Sequence, residues 1–181
     1  SSMRNWSGSI SLWPHISISS EQLKKWQNEK YNSDNENGVI FSTRLENLTP
    51  LKNKNYDWNV ALSNQDNIIP KLIDLIKTYA FPVFERFENI EQVIIEISEN
   101  GLKVNEHFDT KHKNLPIDFL CFFGNQNLAQ NAFDNYLKEQ KLLGNAHRVF
   151  EELKATGQNS NKFITDLTMR NAYFNNLKIN E

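Results

Sequence analysis

The sequence lacks the features of membrane-spanning, disulfide-bonded and strongly nucleic-acid-binding proteins. Its 181 residues include one cysteine, Cys121, so an internal disulfide is excluded and a reducing compartment, the cytoplasm, is indicated. No apolar run reaches the roughly 18 residues that a membrane-spanning helix needs, and nothing resembles a signal peptide. The 20 basic and 22 acidic side chains give a net charge of −2, which provides no overall field to attract nucleic acid or an anionic membrane.

Familiar catalytic and cofactor-binding motifs are also missing. There is no H-E-x-x-H, no pair of cysteines, no glycine-rich phosphate loop and no nucleophile elbow, so we predict no catalytic residue and no cofactor. The nearest approach to a metal site is the segment 106–112, whose candidate ligands are Glu106, His107, Asp109 and His112. A carboxylate and two imidazoles could supply three zinc ligands. Because the histidines are five residues apart, which suits neither a helix face nor a tight turn, a solvated loop without metal is favoured.

What the sequence does contain is a long helical pattern between Asn64 and Gly101. Apolar residues recur there at three- and four-residue steps, which predicts one buried helix face: Ile68, Leu72, Leu75, Ile76 and Tyr79. Asp66 is predicted to cap this helix, and Pro82 to end it near Ala80, because the residue before a proline avoids the α region. A second helix is predicted from an Asn89 cap to Gly101.

Further helices are predicted after a polar stretch that begins at residue 102. They run from Pro116 to Phe123, from an Asn125 cap to Leu137, from an Asn145 cap to Gly157, and from about Asn161 to Leu177. The apolar faces of the central helices predict a core that includes Leu72, Leu75, Ile76, Ile94 and Phe122.

Three stretches near the start alternate polar and apolar residues, as half-buried strands do: Trp6–Ile18, Val39–Leu45 and Tyr56–Leu62. Strands followed by helices predict an α+β fold, with a small antiparallel sheet in the N-terminal third packed against a mostly helical C-terminal two-thirds. We expect one domain over residues 1–181, with a strand-rich layer at 1–63 and a helical layer at 64–181.

The first of these strands is expected to have an open edge. Nothing before Trp6 looks able to pair with it, and a lone strand or an isolated pair is marginal, so it must join the other two strands. Open edges invite pairing with another chain. We therefore expect either a natural N-terminal segment absent from this sequence or a partner strand, which would give a homodimer or β-augmentation by another protein.

Several segments share their spacing with one known family. They are Tyr56-Asp57-Trp58, the helix from Asp66, the break at Ala80-Phe81-Pro82, the short helix after Phe87-Glu88, and the aliphatic helix that ends at Phe123-Gly124-Asn125 and continues through Ala129. Over about Trp6 to Tyr136 this pattern resembles the domain-of-unknown-function family 4304 (DUF4304). The resemblance implies a mostly bacterial intracellular α+β domain without an assigned reaction, and it carries no functional residue across. The helices beyond Lys141 depart from the shorter family pattern.

Tryptophan is concentrated in the first third of the chain, at positions 6, 13, 26 and 58. A core between sheet and helices is the favoured explanation, ahead of a protein-binding face and well ahead of base stacking on nucleic acid. The candidate partner-binding residues are Trp6, Trp13 and His15. We predict a non-catalytic, intracellular protein-binding module of the immunity or adaptor type. The alternative is an enzyme with an unrecognised site, metal-dependent through segment 106–112.

Overall fold

A computed structural model describes residues 2–4, 10–51, 58–61, 63, 65–110, 114–157 and 167–180. The strands are β1 (Ser2–Arg4), β2 (Ile10–Leu12), β3 (His15–Ser19), β4 (Val39–Arg44) and β5 (Trp58–Asn59). The helices are α1 (Glu21–Tyr31), α2 (Gln65–Leu75), α3 (Phe81–Glu88), α4 (Ile90–Asn100), α5 (Ile117–Phe119), α6 (Gln126–Gln140), α7 (Leu143–Thr156) and α8 (Leu167–Phe174). Short antiparallel strands near the start and helices through the rest confirm the predicted α+β class. No described helix has the length and apolar character needed to cross a membrane.

The chain forms two compact units that interleave along the sequence. The strand unit comprises Ser1–Ile18, Phe41–Glu88 and Val104–Asp109, and the helical unit comprises the remaining segments. The predicted layers at 1–63 and 64–181 do not coincide with these units. Helices α2 and α3 group with the strands, whereas α1 groups with the C-terminal helices. The order of the elements in the sequence therefore does not show which elements belong to the same unit.

Strand β2 is the central strand of a three-stranded antiparallel sheet, with β1 on one side and β5 on the other. Met3 pairs with Ser11, and Leu12 pairs with Trp58. The prediction that this stretch has an open edge is thus wrong for β2, because residues 2–4, which the sequence reasoning treated as unable to pair, supply its second neighbour. The predicted pairings with the other two stretches are confirmed, since β2 joins β5 and β3 joins β4 in a separate two-stranded sheet.

The helical path from α2 to α3 is continuous, so the predicted stop at Pro82 is wrong. Residues Ile76–Ala80 form a π-helical turn, in which the Phe81 N–H donates to the Ile76 carbonyl five residues earlier. A proline inside an α-helix clashes with the carbonyl four residues before it. The wider π turn ends at Ala80, two residues before Pro82, and its looser winding is our explanation for a helix that continues through the proline.

The core of the strand unit lies elsewhere than predicted. Helix α2 has no buried residue, and Leu72, Leu75 and Ile76 are only partly covered. Phe122 is also partly exposed, so Ile94 is the one residue of the predicted set that is buried. Among the described residues, the buried apolar side chains of the strand unit are Ile16, Phe41, Leu45, Leu48, Trp58, Ala80, Val83, Val104 and Phe108.

The helical unit confirms most of the predicted helix ends. Asn89 accepts from the Gln92 N–H, and Asn125 accepts from the first amides of α6. Ser20 caps α1 by accepting from the Leu23 N–H. Helix α7 begins at Leu143, before the predicted Asn145 cap. The predicted cap lies three residues after the observed N-cap, Leu142, and the helix order is intact, because helix ends are defined less sharply than helix interiors.

Candidate functional site

Among the described residues of the strand unit, the most exposed apolar surface lies on the helices α2 and α3. Ile69, Ile73, Phe81 and Phe84 are 43%, 44%, 48% and 38% exposed, and we call these four side chains the apolar stripe. Phe81 and Phe84 contact each other with ring centroids 6.5 Å apart. Large apolar side chains that are contiguous and exposed mark an interaction surface more often than scattered ones do.

The π turn is what brings the four side chains into one line. It absorbs about one residue of helical rotation, so the eight steps from Ile73 to Phe81 turn the chain by roughly two full turns. Ile69 lies four residues before Ile73, and Phe84 lies three residues after Phe81, both on the same face. The stripe is about 22 Å long at 1.5 Å per residue.

Charged side chains lie in the middle of the stripe and at both of its ends. Lys77 is exposed at its middle, between Ile73 and Phe81. Asp66 precedes the first isoleucine, and Glu85 and Glu88 follow at the other end, all of them exposed. The stripe therefore presents apolar groups around one central positive charge, with carboxylates at its ends.

A cleft of about 300 Å³ lies on another side of the same helix and contains part of the predicted metal segment. Its walls are Thr78, Tyr79, Pro82 and Val83 from the helix and Val104–His107 from the loop. The Asn105 side chain accepts from the His107 N–H at 3.0 Å and donates to the Leu48 carbonyl at 2.9 Å, which fixes the loop on the strand unit.

The structure brings two of the four predicted metal ligands together. The Glu106 carboxylate is 3.3 Å from His107 Nε2, and the His107 ring meets Tyr79 edge to face with centroids 5.7 Å apart. Asp109 is exposed, and His112 lies outside the described residues. Within the described ranges, no group of three or more metal-binding side chains occurs.

The structure describes two of the three predicted partner-binding residues, Trp13 and His15. Trp13 is 41% exposed, and the Arg44 guanidinium lies over its ring, 4.6 Å from the centroid. His15 is exposed at the start of β3. Trp6 lies outside the described residues, and Trp58 is a core side chain that donates its indole N–H to Glu46.

Sequence reasoning missed a buried polar cluster in the helical unit, centred on Asp118. Only 2% of this residue is exposed, and its carboxylate accepts four hydrogen bonds. The donors and donor–acceptor distances are Tyr31 Oη (2.7 Å), Gln27 Nε2 (2.8 Å), Asn175 Nδ2 (2.8 Å) and Asn171 Nδ2 (3.0 Å). A single carboxylate between Ile117 and Phe119 was the available signal, because an acidic residue in an apolar run must be paired if it is buried.

Three side chains near this cluster have pKa values that are shifted towards the neutral form of the group. Burial, followed by the Asp118 charge and hydrogen bond, raises the pKa of the Tyr31 hydroxyl. Burial lowers the pKa of Lys30, against the opposing effect of Asp118, and Lys30 Nζ donates to Asn175 Oδ1 at 2.5 Å. Burial raises the pKa of the Cys121 thiol to about 12. Because the carboxylate is covered by its donors, the cluster's evident role is to join α1, α5 and α8.

No family model, curated protein or solved structure matches this chain. The resemblance to DUF4304 remains a prediction from the sequence.

Proposed function

We propose that the protein is a non-catalytic protein-binding module and that the apolar stripe is its docking surface. One observation carries this proposal: helix α2 buries no residue, although it is amphipathic. Helical geometry places its exposed isoleucines in line with the exposed Phe81 and Phe84. Complete burial of a large apolar side chain contributes about 1.5–3 kcal/mol. With 38–48% of each side chain still exposed, covering the stripe would contribute on the order of 1 kcal/mol per residue.

The charge pattern favours a different protein over a second copy of this chain. In a symmetric pair built on the stripe, the central Lys77 would face its own equivalent, because an isologous interface places the middle of the surface against itself. Like charges opposed in an interface are costly. We therefore propose a partner that presents apolar side chains on both sides of an aspartate or glutamate, which would pair with Lys77. An amphipathic helix laid along α2 and α3 fits this description.

The test uses a photo-crosslinking amino acid at Phe81, with Ile95 as the control position. Ile95 is 50% exposed on α4 in the helical unit. We expect a crosslinked partner from position 81 that is not obtained from position 95. The partner is then purified, and its Kd for the full chain is measured. Ile73→Glu should weaken binding more than tenfold, and the matched Ile95→Glu should change the Kd less than twofold.

A charge reversal tests the proposed chemistry. Lys77→Glu should weaken binding, and changing the opposing carboxylate of the partner to lysine should restore it. Equal crosslinking at both positions, or an unchanged Kd for Ile73→Glu, would contradict the docking surface. A crosslink to a second copy of this chain would contradict the heterologous partner.

The enzyme alternative has one supporting observation, the cleft that holds Glu106, His107 and Tyr79 together. Metal analysis of the purified protein tests it. Stoichiometric zinc or manganese that is lost in His107→Ala would favour this alternative. The immunity or adaptor role, the cytoplasmic location and the DUF4304 family remain predictions, as do Trp13 and His15 as partner contacts.

A further inference from the structure

The segment that follows α8 lies along α6 and is held there by side-chain amides. We call residues 175–180 the strap. Gln126 Nε2 donates to the Asn175 carbonyl at 2.7 Å. Gln130 Oε1 accepts from the Lys178 N–H and Gln130 Nε2 donates to the Lys178 carbonyl, both at 2.8 Å. One side-chain amide thus satisfies both main-chain groups of one residue, as a neighbouring β-strand would.

The residues that hold the strap form a regular row on the helix. Gln126, Gln130 and Asp134 are spaced four residues apart, so they lie on one face of α6, and we call them the amide row. Asp134 accepts from Gln130 Nε2 at 2.8 Å, which orients the Gln130 amide, and it also accepts from the Asn180 side chain at 2.9 Å. The row therefore binds main-chain groups at residues 175 and 178 and one side-chain donor at residue 180.

The strap has an anchored part and an exposed part. Its anchored part includes Leu177, which is 4% exposed and whose N–H donates to the Ala172 carbonyl at the end of α8. Asn176 adopts φ +56°, the left-handed conformation that commonly ends a helix. Beyond Leu177, Lys178 and Asn180 are exposed, and their bonds to α6 are open to solvent. Segments held mainly by exposed hydrogen bonds open more readily than the core does.

We propose that the amide row is a binding site for an extended peptide segment of a partner protein, and that residues 178–180 occupy it in cis. Because Gln130 contacts main-chain atoms, the site accepts varied side chains at the position of Lys178. Asp134 adds a requirement for a hydrogen-bond donor two residues later. This site is in the helical unit, so it is independent of the apolar stripe and of the function proposed for it.

The first experiment compares the full chain with its Lys178→Pro variant. Proline removes the N–H that Gln130 accepts, and the exposed position makes the change tolerable to the fold. The probe is a labelled peptide of sequence Leu-Lys-Ile-Asn with blocked ends, and binding is followed by chemical-shift changes on α6. We expect at least tenfold tighter binding by the Lys178→Pro chain, and loss of that binding when Gln130→Ala is added.

Two controls make the result decisive. A peptide that is N-methylated at its lysine amide keeps the side chains but lacks the donor, so it should bind at least tenfold more weakly. In the unaltered protein, the Lys178 amide should exchange its hydrogen at least a hundredfold faster than amides in the middle of α8. Absence of peptide binding by the variant, binding that survives Gln130→Ala, or Lys178 exchange as slow as that of α8 would each overturn the proposal.

Discussion

Replacing Asp118 with alanine should strongly destabilise the helical unit. The substitution removes the acceptor shared by four buried or nearly buried donors, which belong to Gln27, Tyr31, Asn171 and Asn175. These donors come from α1 and from the region of α8, so their loss of a partner affects both elements together. The substitution leaves no group of similar shape that could accept in place of the carboxylate.

The magnitude follows from the number of hydrogen bonds that are lost, and of the four donors Asn175 Nδ2 keeps a second acceptor, the Asn171 carbonyl at 2.7 Å. Each buried donor without an acceptor costs about 1–3 kcal/mol, although relaxation and entering water recover part of the sum. After that recovery, we expect the free energy of unfolding to fall by about 3–5 kcal/mol in Asp118→Ala. Tyr31→Phe removes a single donor to the carboxylate, and it should cost about 1.5–3 kcal/mol.

Urea unfolding followed by circular dichroism measures both variants against the unaltered chain. Glu99→Ala is the matched control, because Glu99 is an exposed carboxylate on α4 in the same unit, and it should stay within about 0.5 kcal/mol of the unaltered chain. If Asp118→Ala loses less than about 1 kcal/mol, the carboxylate does not hold the three helices together and the structural role assigned to it is wrong.

The remaining predictions concern single residues. Gly38→Ala should destabilise the protein by more than about 1 kcal/mol, because φ is +65° and a Cβ would overlap a backbone oxygen at the start of α1. Gly144 lies in open space within α7, so Gly144→Ala should instead stabilise the protein by roughly 0.5–1 kcal/mol. Thermal melts measure both changes. Alkylation of Cys121 by iodoacetamide should keep accelerating above pH 9, because a pKa of about 12 leaves roughly a thousandfold less thiolate at pH 8 than an ordinary thiol has. Because the pKa of Cys121 is higher in the folded protein, its contribution to stability is complete below pH 9 and is lost as the pH rises towards 12. The free energy of unfolding, measured with denaturant at pH 8 and pH 10.5, should therefore decline less in Cys121→Ala than in the unaltered chain. Ile97 is 1% exposed, so Ile97→Ala should lower the free energy of unfolding by about 2–5 kcal/mol. Leu75→Ala should lower it distinctly less, because Leu75 is only partly covered. Equal losses in denaturant unfolding would contradict the observed burial.

Local sequence patterns predict neither the Asp118 cluster nor the apolar stripe. The four donors to Asp118 lie 53 to 91 residues away in sequence, so no motif of fixed spacing could reveal the cluster. The sequence shows only that a carboxylate stands between Ile117 and Phe119. The apolar stripe was hidden differently, because the sequence predicts that the helix ends near Ala80, which separates Phe81 and Phe84 from Ile69 and Ile73. Only the π turn aligns Phe81 with Ile73, and it depends on how the helix accommodates the proline.

Local chemistry alone determined the class of fold and most of the helix ends. The Asn89 and Asn125 side chains meet amides two or three residues away, and Gly101 and Gly157 end helices with positive φ, so these features need no distant partner. Tertiary structure decided which faces are buried, which strand is central and which elements form each unit. Burial of apolar surface is non-directional, so a periodic pattern shows that a helix has an apolar face but not whether another element of the chain covers it. Leu75 and Ile94 are equally apolar in the sequence, and only the packing of their neighbours leaves one partly exposed and the other buried.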